Sequence, residues 1–474
     1  MLARIRSGLL QGIDALPCEV EVDFDPTAIE RALIVGLPDA AVKEALERVR
    51  TALTNSGYLP PPGRLLLNLA PADLKKEGPV YDLPIAVGML FVQGIVRSGD
   101  DPALDFRSAV FAGELALDGR VRPVKGALAL ASMAKASGAR AVVVPADNAE
   151  EAAIVEGIEV FGVRTLAEVV GLLTGQLDLA PVASPDITGL LQTAKPPIDF
   201  ADVRGQESVK RALTIAAAGS HNIVLLGPAG TGKTMMAKAL PGVLPSLTPE
   251  EAVEITRIYS AGGALRPGEG LVTTRPVRSP HHTASSPAIV GGGAVPKPGE
   301  VSLAHRGVLF LDELPEFPRA VLETLRQPLE DDVVTIARAH GSIRFPARFM
   351  LVAAMNPTPK GDMPAGEVGR RDMDRYLSKI SGPLLDRIDI HVEAPAVPWK
   401  ELSGKARNGT STATMRDQAA RARTRQAARQ GTAKPNSKLS GRELDTHATL
   451  DEPTLALLGQ AVSELGLRAR AYDK

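Results

Sequence analysis

Short apolar runs and amphipathic runs alternate along most of this chain. Val20 to Phe24 and Leu65 to Leu69 read as strands, and Ala40 to Asn55 carries its apolar residues at helical spacing, with Glu44–Arg48 and Glu47–Arg50 pairs expected on one face. Further on, Ala127 to Ala136 reads as a helix and Ala141 to Pro145 as the strand that follows it. Residues 1–178 are therefore expected to form an α/β domain. The rhythm fails in residues 179–200, where Pro181, Pro185, Pro196 and Pro197 predict a linker. A second α/β block is expected over residues 201–396. Residues 397–474 turn helical, with Arg416 to Gln430 a basic helix candidate.

Composition narrows this picture. A chain of 474 residues exceeds one ordinary core, which fits several domains. Apolar residues make up 44% and charged residues 23%, the balance of a soluble globular protein. Aromatics are only 3%, which argues against a surface built on many stacked rings. The net charge of −1 leaves nucleic-acid binding open, since a local basic surface suffices. Cys18 is the only cysteine, so an internal disulfide and a cysteine zinc site are excluded, as expected in a reducing cytoplasm. The longest uncharged apolar run, Leu83 to Val96, falls short of the roughly 20 residues of a membrane helix. Asp14 interrupts the would-be apolar part of a signal peptide. The last residues keep a helical pattern up to Lys474, so a natural chain is expected to continue beyond it.

The most specific motif is Gly227-Pro228-Ala229-Gly230-Thr231-Gly232-Lys233-Thr234, between a strand-like run ending at Leu226 and a helix expected from Thr234 to Leu240. That context defines a P-loop. Its glycines let backbone N–H groups turn toward phosphate oxygens, Lys233 reaches the β- and γ-phosphates of ATP, and Thr234 offers a hydroxyl to Mg²⁺. A second apolar run ends in Asp312-Glu313, at the carboxyl end of a strand where ligands sit in parallel sheets. Asp312 is expected to hold Mg²⁺ through water, and Glu313 to activate the attacking water. A third run, Phe349 to Met355, ends at Asn356-Pro357, where Asn356 either contacts phosphate or water or simply starts a loop. Arg387 precedes one more apolar run. It is placed either to reach a neighbouring subunit's nucleotide or to pair with Asp386 or Asp389.

These stretches, with Ile34-Val-Gly-Leu-Pro-Asp-Ala-Ala, Asn68-Leu-Ala-Pro-Ala-Asp-Leu, Arg278-Ser-Pro-His-His-Thr-Ala-Ser and Leu325-Arg-Gln-Pro-Leu-Glu-Asp, resemble the magnesium-chelatase-like AAA+ ATPases, in particular the YifB/ComM group, over essentially the whole chain. The resemblance implies a Lon-protease-like α/β domain, an AAA+ core with a parallel sheet between helices, and a helical lid. It implies an ATP-driven ring, usually a hexamer. It makes Asn356 a sensor, Arg387 an arginine finger and Arg470 a lid sensor, and it puts Val203, Gly205 and Gln206 against the adenine. The family often has cysteines after the sensor asparagine. Here the run is Asn356-Pro-Thr-Pro-Lys-Gly, so any role for those cysteines is absent.

A Lon-like protease needs a serine and a lysine. The matching positions here are Val80 and Leu128, with Lys125 three residues away, so the domain is expected to lack protease chemistry. His281 and His282 are sequence neighbours that would point to opposite faces of a strand, which disfavours a shared metal. The family's insertion in this region commonly faces the ring channel. Arg275, Arg278, His281, His282 and Lys297 are thus candidate contacts to a DNA backbone, the alternative being a packed inter-subunit loop. The basic helix is a second candidate, or a solvated face.

The reading is a cytoplasmic ATPase ring that remodels DNA by helicase or branch-migration activity, as in natural transformation, with recombination proteins as expected partners and no membrane. Two rivals share the core. A metal-chelatase motor subunit is disfavoured by the Lon-like domain. A protein-remodelling ATPase would favour an aromatic pore residue, and Tyr259 is the one tyrosine between the P-loop and Asp312.

Overall fold

The computed structural model describes residues 1–97, 104–193, 198–293, 296–338, 341–358, 371, 375–399 and 409–465. Its internal contacts define two compact units. One comprises residues 1–190 and 249–272, the other residues 191–248 and 273–474.

The first unit is built on a mixed seven-stranded sheet. Its order is Arg31–Val35, Arg64–Ala70, Asp14–Asp25, Leu2–Gln11, Ala109–Phe111, Ala141–Pro145 and Glu159–Val163. Leu2–Gln11 and Asp14–Asp25 form a long hairpin in register from Leu2 opposite Asp23 to Gln11 opposite Asp14. Strict alternation buries Ile5, Val20, Val22, Leu65, Leu67 and Leu69 on one face. The helix Ala40–Asn55 forms as its spacing predicts, capped by Asp39, whose carboxylate accepts from the Val42 N–H at 2.8 Å. Arg48 approaches Glu44 at 4.0 Å, as expected for an i,i+4 pair, whereas Arg50 turns to Glu30 at 3.6 Å rather than to Glu47. The apolar run beginning at Leu83 forms the buried helix Asp82–Val92. It packs on both strands of the hairpin. No described helix is long and apolar enough to cross a membrane.

Two polar features sit inside this core. Asp82 is fully buried and receives Arg48 through Nε and Nη2, each at 3.0 Å, with the Leu115 N–H donating at 3.2 Å. Burial outweighs that pairing and pushes the Asp82 carboxyl up to about 6. Cys18 is also buried, and burial pushes its thiol up to about 11 against the pull of the Lys76 ammonium. The thiolate is the reactive form, so a rise of about two units lowers it about 100-fold. Cys18 in the native chain should therefore react with a thiol-directed reagent at least about 100-fold more slowly than in denaturant. A rate matching the denatured chain would show that the hairpin opens readily.

Residues 249–272, which the sequence pattern assigns to the second block, pack in the first unit. The helix Pro249–Gly262 lies against the helix Ala127–Ala136. The Ser260 carbonyl accepts from the Gly126 N–H at 3.2 Å, and Arg257 pairs with Asp14 at 3.3 Å. Buried Glu151 accepts from Asn148 at 2.6 Å, and burial raises its carboxyl. Tyr259 belongs to this helix and is partly buried. At the positions compared with a protease dyad, Leu128 is buried and Val80 packs against the core. Lys125 is exposed.

The second unit holds a five-stranded parallel sheet in the order Val277–Arg278, Val308–Leu311, Met350–Met355, Ile223–Leu226 and Ile390–Glu393. The three central strands are nearly all buried, the signature of a sheet covered on both faces. The helix Glu207–Gly219 packs against the long helix Thr412–Gln430, where Arg423 and Gln426 donate to the carbonyls of Ala217 and Ala218 at 3.1 Å. Within the predicted linker, the helix Ile187–Thr193 forms.

Candidate nucleotide-binding site

Strand order explains why the separate motifs meet. Met350–Met355 inserts between the strand that leads to the P-loop and the strand that leads to Asp312. Its register sets Met355 beside Leu226 and Ala353 beside Leu311. Asn356, one residue further, therefore emerges between the other two strand ends.

The P-loop follows Leu226 and turns through Gly230 and Gly232, at φ +81° and +85°, conformations that side chains with a Cβ rarely adopt. The helix Lys233–Ala239 starts directly after it. The Lys233 ammonium is buried and donates to the carbonyls of Gly227 and Pro228 at 2.7 and 2.8 Å and to Asn356 Oδ1 at 3.1 Å. Burial lowers its pKa, against the opposing pull of Asp312 and Glu313. Thr234 Oγ1 donates to Asp312 Oδ2 at 2.8 Å, and Asp312 Oδ1 accepts from the Glu313 N–H at 3.0 Å. Glu313 sits at φ +53°, an uncommon conformation for a non-glycine residue.

These positions fit Mg-ATP. Thr234 and Asp312 bring a hydroxyl and a carboxylate oxygen to one point, the donor chemistry that Mg²⁺ takes. Mg²⁺ bound there would neutralise charge on the phosphates. The segment expected beside the adenine is tightly held. Gln206, at φ +60°, donates to the carbonyls of Pro395 at 2.7 Å and Thr231 at 3.4 Å. Buried Lys210 donates to the Val203 carbonyl at 2.8 Å. Gly205 lies between them at φ +59°.

The remaining predicted residues divide. Arg387 is buried, its Nη2 bound to Glu330 at 2.5 Å and its Nη1 to the Pro383 carbonyl, so its ionic partner is neither Asp386 nor Asp389. Arg278 grips Glu300 through two hydrogen bonds of 2.6 and 2.8 Å. Arg275 donates to the carbonyls of Pro245, Ser246 and Arg306. Both arginines brace the loop in this geometry. His281 and Lys297 are exposed. His282 is half-buried, with Nδ1 3.6 Å from Glu313 Oε2, a contact the sequence reading did not anticipate. No metal-binding cluster of His, Cys, Asp and Glu occurs among the described residues. Arg470 lies outside them.

A P-loop, an acidic strand end and a polar residue on the strand inserted between them together define a P-loop nucleotide site. Comparisons with known proteins carry this further. Residues 199–402 match the family described as magnesium chelatase, subunit ChlI. Residues 20–148 match subunit ChlI of Mg-chelatase, and residues 409–474 the ChlI C-terminal family. Competence protein ComM of Haemophilus influenzae is 43% identical over the whole chain and 92% of its own length. YifB of Escherichia coli is 43% identical over 98% of the chain and 89% of its length. The magnesium-chelatase 38 kDa subunit of Rhodobacter capsulatus is 30% identical over 36% of the chain. The chain belongs to the YifB/ComM family of magnesium-chelatase-like AAA+ proteins.

Proposed function

We propose that this chain is a cytoplasmic, Mg²⁺-dependent ATPase that assembles as a ring, most simply a hexamer, and remodels DNA by helicase or branch-migration activity. The observation that carries the ATPase reading is the convergence of Lys233, Thr234, Asp312, Glu313 and Asn356 at adjacent strand ends. Lys233 binds the β- and γ-phosphates. Thr234 and Asp312 hold the metal. Glu313 takes a proton from the attacking water, and Asn356 orients that water or the γ-phosphate. Arg387 completes a neighbouring subunit's site by exchanging Glu330 for phosphate, and Arg470 reads the nucleotide from the lid. The Lon-like domain, without a protease dyad, binds a partner, recombination proteins being the candidates.

The DNA part of the reading is supported by the full-length likeness to a protein named for competence. The chelatase subunit matches about a third of the chain, which favours the DNA motor over a porphyrin-pathway role. Steady-state ATP turnover with single-stranded, duplex and four-way-junction DNA tests it. The expected result is stimulation that is strongest on the junction and absent in Glu313→Gln. Robust turnover indifferent to every DNA would overturn the DNA reading and turn attention to protein or porphyrin-pathway partners.

A further inference from the structure

We propose that Arg421, Arg425 and Arg429 form a binding stripe for the phosphate backbone of DNA, on the exposed side of the helix Thr412–Gln430. This rests on the DNA reading above and gives it a surface separate from the loop after Arg278. The helix carries five arginines against one acid, Asp417, in a chain whose net charge is −1. Four-residue spacing puts Arg421, Arg425 and Arg429 on one face, each about 6 Å further along the axis. All three are exposed. Like charges at this spacing weaken a helix. The stripe therefore does nothing for the stability of its own element, and it calls for a counter-charge from elsewhere.

The described residues do not supply that counter-charge. Lys434 and Lys438, which follow the helix, are neutralised by Glu443 at 2.6 Å and Asp332 at 2.5 Å. Arg423 is turned inward to the Ala217 carbonyl and the Ser220 hydroxyl. Among the described residues, no carboxylate pairs with Arg421, Arg425 or Arg429. Arg421 Nε donates to the backbone carbonyl of Asp417 at 3.3 Å, and Arg429 Nη2 donates to Asn436 Oδ1 at 2.7 Å. Most N–H donors of these guanidinium forks are left for a ligand.

The helix is held rigidly behind the stripe. Met415 and Ala419 are buried in the core of the second unit, Gln426 donates to the Ala218 carbonyl at 3.1 Å, and Gly431 ends the helix at φ +67°. An open groove of about 450 Å³, lined by Gln418, Arg421, Ala422, Arg425 and Gln426, runs beside the arginines. Guanidinium forks and amide donors on a fixed helix suit phosphate oxygens. The helix has no aromatic residue on which a base could stack, so the contact is to the backbone and independent of sequence.

Binding of a fluorescent duplex to the full-length chain, measured between about 50 and 200 mM salt, tests the stripe. Each phosphate contact removed lowers the slope of log affinity against log salt by about 1. Arg425→Gln is expected to lower it by that amount. Arg421→Gln, Arg425→Gln and Arg429→Gln together should lower it by about 2 to 3, so that the affinity lost over this salt range shrinks about 20- to 60-fold. Arg416→Gln removes the same charge from the other side of the buried face and is the control, expected to change the slope by less than half as much as Arg425→Gln. Matching thermal unfolding midpoints show that the variants are folded. If the wild-type chain binds DNA, an unchanged slope in the triple variant overturns the stripe alone, as does a fall in Arg416→Gln equal to that in Arg425→Gln. An unchanged slope with loss of ring assembly in sedimentation also overturns it, and shows that the face seats a neighbouring subunit. A wild-type chain that binds no DNA overturns the DNA reading and this proposal with it.

Discussion

Glu313→Gln should lower ATP turnover by about 10²- to 10⁴-fold, the usual contribution of a positioned general base, while ATP still binds. The groups expected to hold ATP and metal are separate from it. The Lys233–Asn356 and Thr234–Asp312 contacts persist in the absence of the Glu313 carboxylate, because Asp312 takes its other hydrogen bond from the Glu313 backbone N–H. Binding of a fluorescent ATP analogue, measured beside single-turnover hydrolysis, checks both halves. A variant that binds and still hydrolyses at more than about a tenth of the wild-type rate would remove Glu313 from the role of base. Loss of binding together with turnover would show instead that Glu313 shapes the pocket.

Arg48→Ala should destabilise the first unit by roughly 3–5 kcal/mol, because it leaves a buried carboxylate without its cation. Asp82 is fully buried, and two of its acceptor contacts come from the Arg48 guanidinium. The loss should depend on pH. With its partner present, Asp82 already has a folded pKa of about 6, above the ordinary carboxylate range. A group raised in this way stabilises the fold fully below its unfolded pKa and loses that contribution as pH rises through the folded value. Removal of Arg48 raises the folded pKa further, so the deficit is smallest near pH 5 and grows toward pH 8. Urea unfolding at these two values is the check. A deficit below about 1 kcal/mol, or one equal at both pH values, would mean that water or rearrangement satisfies Asp82.

The parts of the site legible in the sequence are those whose chemistry demands contiguous residues. A P-loop needs its glycines, lysine and threonine in one turn, and a metal-binding strand end needs an apolar run followed by acids. Asn356 was a candidate from the sequence with a loop start as its alternative, but its meeting with Lys233 depends on Met350–Met355 lying between the other two strands. Side-chain partners distant in sequence were not legible. Arg278 looks like a free cation in the basic loop, yet it is committed to Glu300. Arg387 looks like an isolated arginine beside two aspartates, yet it reaches back to Glu330. Amphipathic spacing in Pro249–Gly262 shows that one face is buried but not against what, so its packing on the Ala127–Ala136 helix was not legible in the sequence. Regular elements without such ambiguity, among them Ala40–Asn55, Ala127–Ala136 and Ala141–Pro145, follow their periodicity residue for residue.

The route of residues 249–272 also bears on synthesis. A ribosome makes Leu2 to Leu190 first, but that unit is completed only when the Pro249–Gly262 helix has emerged. By then the P-loop strand and helix are already outside, while the strands that flank them, Met350–Met355 and Ile390–Glu393, are not yet made. The nascent chain thus carries an exposed apolar P-loop strand for a long interval, a hazard that favours binding by a chaperone. The two units cannot be exchanged between proteins as contiguous cassettes. A gene fragment ending at residue 190 would expose the face of the Ala127–Ala136 helix that Pro249–Gly262 covers, and it would leave the Gly126 N–H without its Ser260 carbonyl.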